Sequence, residues 1–243
     1  MKTKLQAADV ASVIQDLAAA NQKFLDYYPG INVARLPIHT LYGGAHLFTK
    51  ETPLKLSRLA KKHFDQYAAN FSELARALNL QGCEDLPTHV DEVESLAKEV
   101  GQSSLPDRQI IDHWIAVEVY ARVSCKLGHE AIEDQRIDFE DGYGARADDE
   151  EDAHAYAAAV ALATAHTESL LPPFIGIRIK ALTEETKHRS IRTLDLFLTT
   201  YAEQGVPLPP HFFVTLPKVT NPVQVQAAVT CIELLEEKCG FAT

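Results

Sequence analysis

The two halves of this chain carry different rhythms of apolar and polar residues. In the first half, apolar positions recur every three or four residues, the period of a helix face. Ala7–Asp26 sets Leu17, Phe24 and Leu25 on one side and is stopped by Pro29-Gly30, which predicts a helix. Leu36–Tyr42 predicts a first strand, ended by Gly43-Gly44. Pro53–Leu78 carries Leu56, Leu59, Ala60, His63, Phe64, Tyr67 and Phe71 at spacings of three and four, and predicts one long amphipathic helix. Thr88–Val100 predicts a shorter helix, with Thr88 as N-cap and Asp91 and Glu92 in its first turn. Ser104-Leu105-Pro106 opens another, running to about Leu127.

In the second half, short alternating runs take turns with helical ones. Strand Arg136–Glu140 leads to helix Asp148–Leu170, and strand Phe174–Lys180 to a helix over Thr186–Gln204. Strand His211–Leu216 leads to helix Pro222–Lys238, closed by Gly240 in the position that favours a left-handed cap. Strand–helix alternation with short connections predicts βαβ units on a parallel sheet, an α/β fold. The boundaries read as a helical extension over 1–34 and an α/β body over 35–243, with a helical insertion at about 80–130.

Gln135–Arg146 is the most informative stretch. Ile137, Asp138, Phe139 and Glu140 alternate with the period of a strand; Asp141 and the turn residues Gly142 and Gly144 follow. Carboxylates crowded at a strand end are costly unless something cationic sits there. In strand Phe174–Lys180, Ile175, Ile177 and Ile179 share one face, which suits packing on helices; Arg178 and Lys180 share the other. The same reading sends Asp138 and Glu140 to the face opposite Ile137 and Phe139. An ion pair between Glu140 and Arg178 is the expected consequence, and Arg178 has the planar two-pronged donor that suits a substrate carboxylate. Lys218, just past the last strand, falls on the same rim, where it either holds a phosphate or carboxylate or stays solvated. In a parallel α/β protein that rim is where ligands bind.

Composition narrows the field. The 243 residues carry a formal charge of -11, which argues against non-specific binding to nucleic acid or an anionic membrane. The N-terminus lacks an apolar signal core, and no run approaches the ~20 apolar residues a membrane helix needs. Cys83, Cys125, Cys231 and Cys239 form no CxxC and read as reduced thiols, so a cytoplasmic location is expected. The run Asp148–Asp152 lacks the alternation and central Gly of a calcium loop and suits a helix N-terminus. His154 and His166 read as surface or hydrogen-bonded side chains. The serine-hydrolase elbow, the P-loop and the dinucleotide fingerprint are absent from the sequence.

Taken together, Arg136–Gly144 (RIDFEDGYG), Gly176–Lys180 (GIRIK) and Thr215–Val219 (TLPKV) resemble, in order and spacing, the superfamily of the citrate lyase beta subunit and the 2-oxo acid aldolases. The likeness is greatest to a bacterial branch of it with extra N-terminal helices. The resemblance implies a TIM (β/α)8 barrel, of which this chain holds about the first four strands, and a Mg2+ or similar divalent ion. It further implies a 2-oxo acid or acyl-thioester substrate, carbon–carbon lyase or aldolase chemistry through a metal-stabilised enolate, and possible homo-oligomers. By position, Arg178 resembles the superfamily's substrate-carboxylate arginine, with Lys180 and Lys218 as further substrate contacts. Glu140 and Asp141 resemble its acids near the metal and its waters, and Arg178 and Glu140 are the expected catalytic residues.

Two departures stand out. Gly43-Gly44-Ala45-His46-Leu47-Phe48 offers no Arg where the superfamily usually has one after the first strand. The superfamily's metal-ligating carboxylates come from strands five and six, whereas only four strands are predicted before Thr243, with Phe241–Thr243 as the expected start of a fifth. The expectation is therefore a fragment of a longer protein, inactive alone and lacking the main metal ligands. Two other readings share the scaffold: a phosphoenolpyruvate-dependent phosphoryl-transfer enzyme, and a non-catalytic half-barrel that binds a partner chain or a small acid.

Overall fold

The strand–helix alternation of the second half produces a single parallel sheet. A computed structural model describes residues 4–30, 34–102 and 108–241. The chain divides into two compact units, Met1–Leu36 and Pro37–Thr243. The first contains helix α1 (Ala7–Tyr27), opened by a reciprocal pair of hydrogen bonds between Gln6 and Asp9.

In the second unit the strands are β1 (Thr40–Gly44), β2 (Asp134–Asp138), β3 (Phe174–Arg178) and β4 (Phe212–Thr215), hydrogen-bonded in sequence order and all parallel. Helix α6 (Asp148–Thr167) joins β2 to β3, α7 (Lys187–Glu203) joins β3 to β4, and α8 (Pro222–Cys239) follows β4. The sheet is open, with β1 and β4 at its edges.

The two faces of the sheet differ as the alternation requires. Ile137 and Phe139 join Ile175, Ile177 and Ile179 in a core completed by Ala155, Ala159 and Leu162 of α6 and Leu194, Phe197 and Tyr201 of α7. The alanines let α6 approach the strands closely. The other face is polar and aromatic: the register sets Gly44, Asp138, Arg178 and Thr215 side by side, and one step earlier Tyr42, Arg136, Gly176 and Phe213. Gly176 is required there, because a Cβ would lie 1.9 Å from the Phe213 carbonyl oxygen and 2.5 Å from Arg136 Nη1.

Between β1 and β2 run α2 (Thr52–Tyr67), α3 (Phe71–Ala77), α4 (Val90–Gln102) and α5 (Arg108–His129). Phe71, Ala75, Cys83, Leu86, Val93 and Ala116 form a second, smaller core among them.

Several expected boundaries are corrected. The first strand starts at Thr40, not Leu36. The single helix expected over Pro53–Leu78 is two: the chain turns at Ala68–Asn70, and the Asn70 side chain accepts the Glu73 N–H at 3.0 Å to cap α3. Strand β2 runs Asp134–Asp138, so Glu140 lies beyond its end, and β3 stops at Arg178, two residues before Lys180. Helix α6 ends at Thr167, three residues early, where Ser169 takes a left-handed φ of 56°. The expected opening at Ser104–Pro106 lies outside the described residues, as do the last two residues of the expected fifth strand.

Candidate functional site: the charged rim at the strand ends

Burying Asp138 sets the geometry of the rim. This carboxylate is fully shielded, and four donors meet it. Arg178 donates from Nε to Oδ1 at 2.8 Å and from Nη2 to Oδ2 at 2.5 Å, a two-pronged pair. The backbone N–H of Glu140 donates to Oδ1 at 2.9 Å and that of Gly142 to Oδ2 at 2.8 Å. Residue 142 is a glycine because a Cβ there would lie 2.6 Å from Oδ2. Burial alone would raise the carboxyl's pKa; the Arg178 bonds and the two backbone donors outweigh it and hold Asp138 below the usual carboxylate range. Asp138 in turn raises the pKa of Arg178.

With Nε and Nη2 committed, the third guanidinium nitrogen faces the rim. Nη1 lies 3.4 Å from Glu140 Oε2. The ring of Tyr42, from β1, covers the guanidinium with 4.3 Å between its centroid and Cζ. Lys218 closes the group from the end of β4: Nζ lies 2.7 Å from Glu140 Oε1 and 2.8 Å from Asp141 Oδ1. Lys218 adopts a left-handed φ of 50°, uncommon for a residue with a Cβ. The two acids hold its ammonium above the ordinary lysine range, Asp141 first and Glu140 second.

Arg178, Glu140, Asp141 and Lys218, all expected on one rim, come together there. The expected Glu140–Arg178 pair exists but is secondary, since Asp138 holds Arg178 by two bonds. Asp138 and Tyr42 were missed as site residues. The signal for Asp138 was its place in the alternating run; Tyr42 had none until the register placed it.

The direction expected for Lys180 is corrected. Past the end of β3 its Nζ reaches the Phe139 carbonyl at 2.6 Å and Glu151 Oε2 at 2.9 Å, and lies 5.0 Å from the Tyr143 ring centroid. Glu151 is itself buried and accepts from Thr193 Oγ1 at 2.6 Å, so Lys180 braces α6 and α7 against the strand end. Tyr143, whose hydroxyl meets His154 Nδ1 at 2.8 Å, is pushed up to about 12, chiefly by burial and then by the Glu151 charge. His46, in the turn after β1, packs edge-on to Tyr143 and is lowered by burial. His166 meets the Tyr201 hydroxyl at 2.9 Å.

A cleft of about 410 Å3 opens beside this group, lined by Glu140, Asp141, Lys180, Thr183, Thr186 and Lys218 among others. A slightly larger cavity of about 460 Å3 lies at the opposite ends of the strands, beside Ala131–Ile132 and Pro172–Pro173, with no comparable meeting of acids and bases. The rim is therefore the better candidate.

The donor set suits a divalent ion only at a distance. Glu140 Oε2 is buried and makes no hydrogen bond, which leaves one oxygen with spare capacity. Lys218, however, already lies against both Glu140 and Asp141, and no cluster of three potential ligands occurs among the described residues. Mg2+ prefers six oxygens. Glu140 and Asp141 fit contacts through its waters and not a cage.

An open parallel α/β sheet with a charged rim beyond the carboxyl ends of its strands defines the class of protein. Residues 17–243 match the family model described as a domain of unknown function, DUF6986, and the chain belongs to that family. No curated protein and no solved structure matches it.

Proposed function

We propose that this rim binds a small anionic carbonyl compound, a 2-oxo acid or acyl-thioester, and serves carbon–carbon lyase chemistry of the aldolase and citrate-lyase type. On this reading the four strands are part of a (β/α)8 barrel, and the protein works in the cytoplasm, in keeping with four free cysteines. The carrying observation is that Asp138, Glu140, Arg178 and Lys218 converge from the ends of three neighbouring parallel strands. Active sites of such sheets collect at this edge.

Each residue has a part that its geometry supports. Asp138 fixes the guanidinium plane of Arg178 by two bonds, so the arginine meets a ligand without searching rotamers. Arg178 Nη1 then offers a donor to a substrate carboxylate, displacing its weak contact with Glu140. Lys218 brings positive charge to an oxygen that becomes negative as the carbon–carbon bond breaks. Glu140, relieved of Arg178, is the base within reach of a proton in that pocket. Mg2+, when bound, would supply Lewis-acid polarisation of the carbonyl, with Glu140 and Asp141 ordering its waters.

Turnover with a panel of 4-hydroxy-2-oxo acids and 3-hydroxyacyl-thioesters in the presence of Mg2+, followed by pyruvate or acyl-thioester release, tests the reading. Release abolished by Arg178→Gln supports it. Phosphate release from phosphoenolpyruvate instead would replace it with the phosphoryl-transfer reading. Failure to bind pyruvate would contradict the proposed site and leave the non-catalytic reading in which the half-barrel binds a partner chain.

A further inference from the structure

Helix α1 exposes an apolar stripe that its own residues do not cover. None of its residues is buried, and Val13, Leu17, Phe24 and Tyr27 are each more than half exposed. With Val10 and Ala20 they form an unbroken seam at alternating spacings of three and four: Val10, Val13, Leu17, Ala20, Phe24, Tyr27. This is the heptad spacing by which two helices pair, and no charge interrupts it. Asp9, Asp16 and Lys23 stand immediately beside the seam, and Asp26 lies away from it.

From the self-complementarity of this pattern, we propose that α1 pairs antiparallel with α1 of a second copy of this chain. In that register Val10 meets the partner's Tyr27, Val13 the partner's Phe24, and Leu17 the partner's Ala20. Two-fold symmetry repeats each contact, so all six seam residues are covered. The overlap runs from Val10 to Tyr27, about 27 Å of helix. The same register sets Asp16 opposite the partner's Lys23, twice. A parallel pair lacks this match: Asp16 then neighbours Asn21 and Lys23 neighbours Tyr28. Charge therefore selects the antiparallel arrangement, which closes as a symmetric dimer.

The test is the molar mass of the full chain at about 100 µM by light scattering. A dimer is expected, with Leu17→Asp giving a monomer. Lys23→Asp should weaken the dimer by about tenfold, and Asp16→Lys combined with Lys23→Asp should restore it. Trp114, the one tryptophan, lies in α5 and reports the body's integrity: its emission should stay unchanged in every variant. A monomeric parent chain, or a Leu17→Asp variant that remains dimeric, overturns the proposal. A charge swap that fails to restore the dimer overturns its antiparallel register.

Discussion

At the scale of single residues, Asp138 holds the rim together. Replacing it with Asn removes the charge that Arg178 is held against, leaving a partly buried guanidinium with only the longer contact to Glu140. Asp138→Asn should cost about 3 kcal/mol of unfolding free energy, read by denaturant titration. The pH dependence has a definite sign. Because the folded pKa lies below the usual 3.8, the stabilisation is complete above that value and drains away as pH falls toward the folded pKa. Acid unfolding of the parent chain should lose part of its slope in the Asn variant. Tyr42→Leu should weaken anion binding by about 1 kcal/mol, measured calorimetrically with oxalate, while Tyr42→Phe should not, since the ring and not the hydroxyl covers Arg178. The faces of Ile137, Asp138, Phe139 and Arg178 were legible from alternation alone. Which acid meets Arg178 was not, because alternation gives a face and not a register. The sheet pairs Asp138 with Arg178 directly and leaves Glu140 past the strand end.

At the scale of elements, the sheet's tolerances are set where backbones approach most closely. Gly176→Ala would drive a methyl group into the Phe213 carbonyl, against main chain that cannot give way cheaply, so β3 and β4 must separate. The expected loss is about 3 kcal/mol or more, seen as a fall in Tm. The Asn70 cap makes a milder prediction: Asn70→Ala should cost about 1 kcal/mol. Helix periodicity runs unbroken through Ala68–Asn70, which is why one helix was expected where two form. The cap residue was the available signal, and periodicity overrode it. The first strand was misplaced for a related reason. Leu36 and Ile38 are apolar, yet they are 69% and 88% exposed and lie ahead of the ladder. The βα alternation of the second half was legible because each strand buries one face and each helix one stripe, so pattern and packing agree.

At the scale of the whole molecule, a chain with a formal charge of -11 gathers Arg178 and Lys218 against Asp138, Glu140 and Asp141 at one end of a parallel sheet. No helix among the described residues is long and apolar enough to cross a membrane. The α/β class was readable from the sequence because it depends on alternation, and so was the edge where the charges meet. The direction of Lys180 was not, since the chain leaves the strand at Arg178 and the side chain turns to the buried Glu151. Oxalate, a planar dianion shaped like an enolate, should bind the rim when titrated into isotopically labelled chain and followed by amide chemical shifts. Shifts confined to Asp138–Gly144, Arg178–Thr183 and Thr215–Val219, and lost in Arg178→Gln, are the predicted result. Shifts centred elsewhere, or unchanged by that substitution, would contradict it.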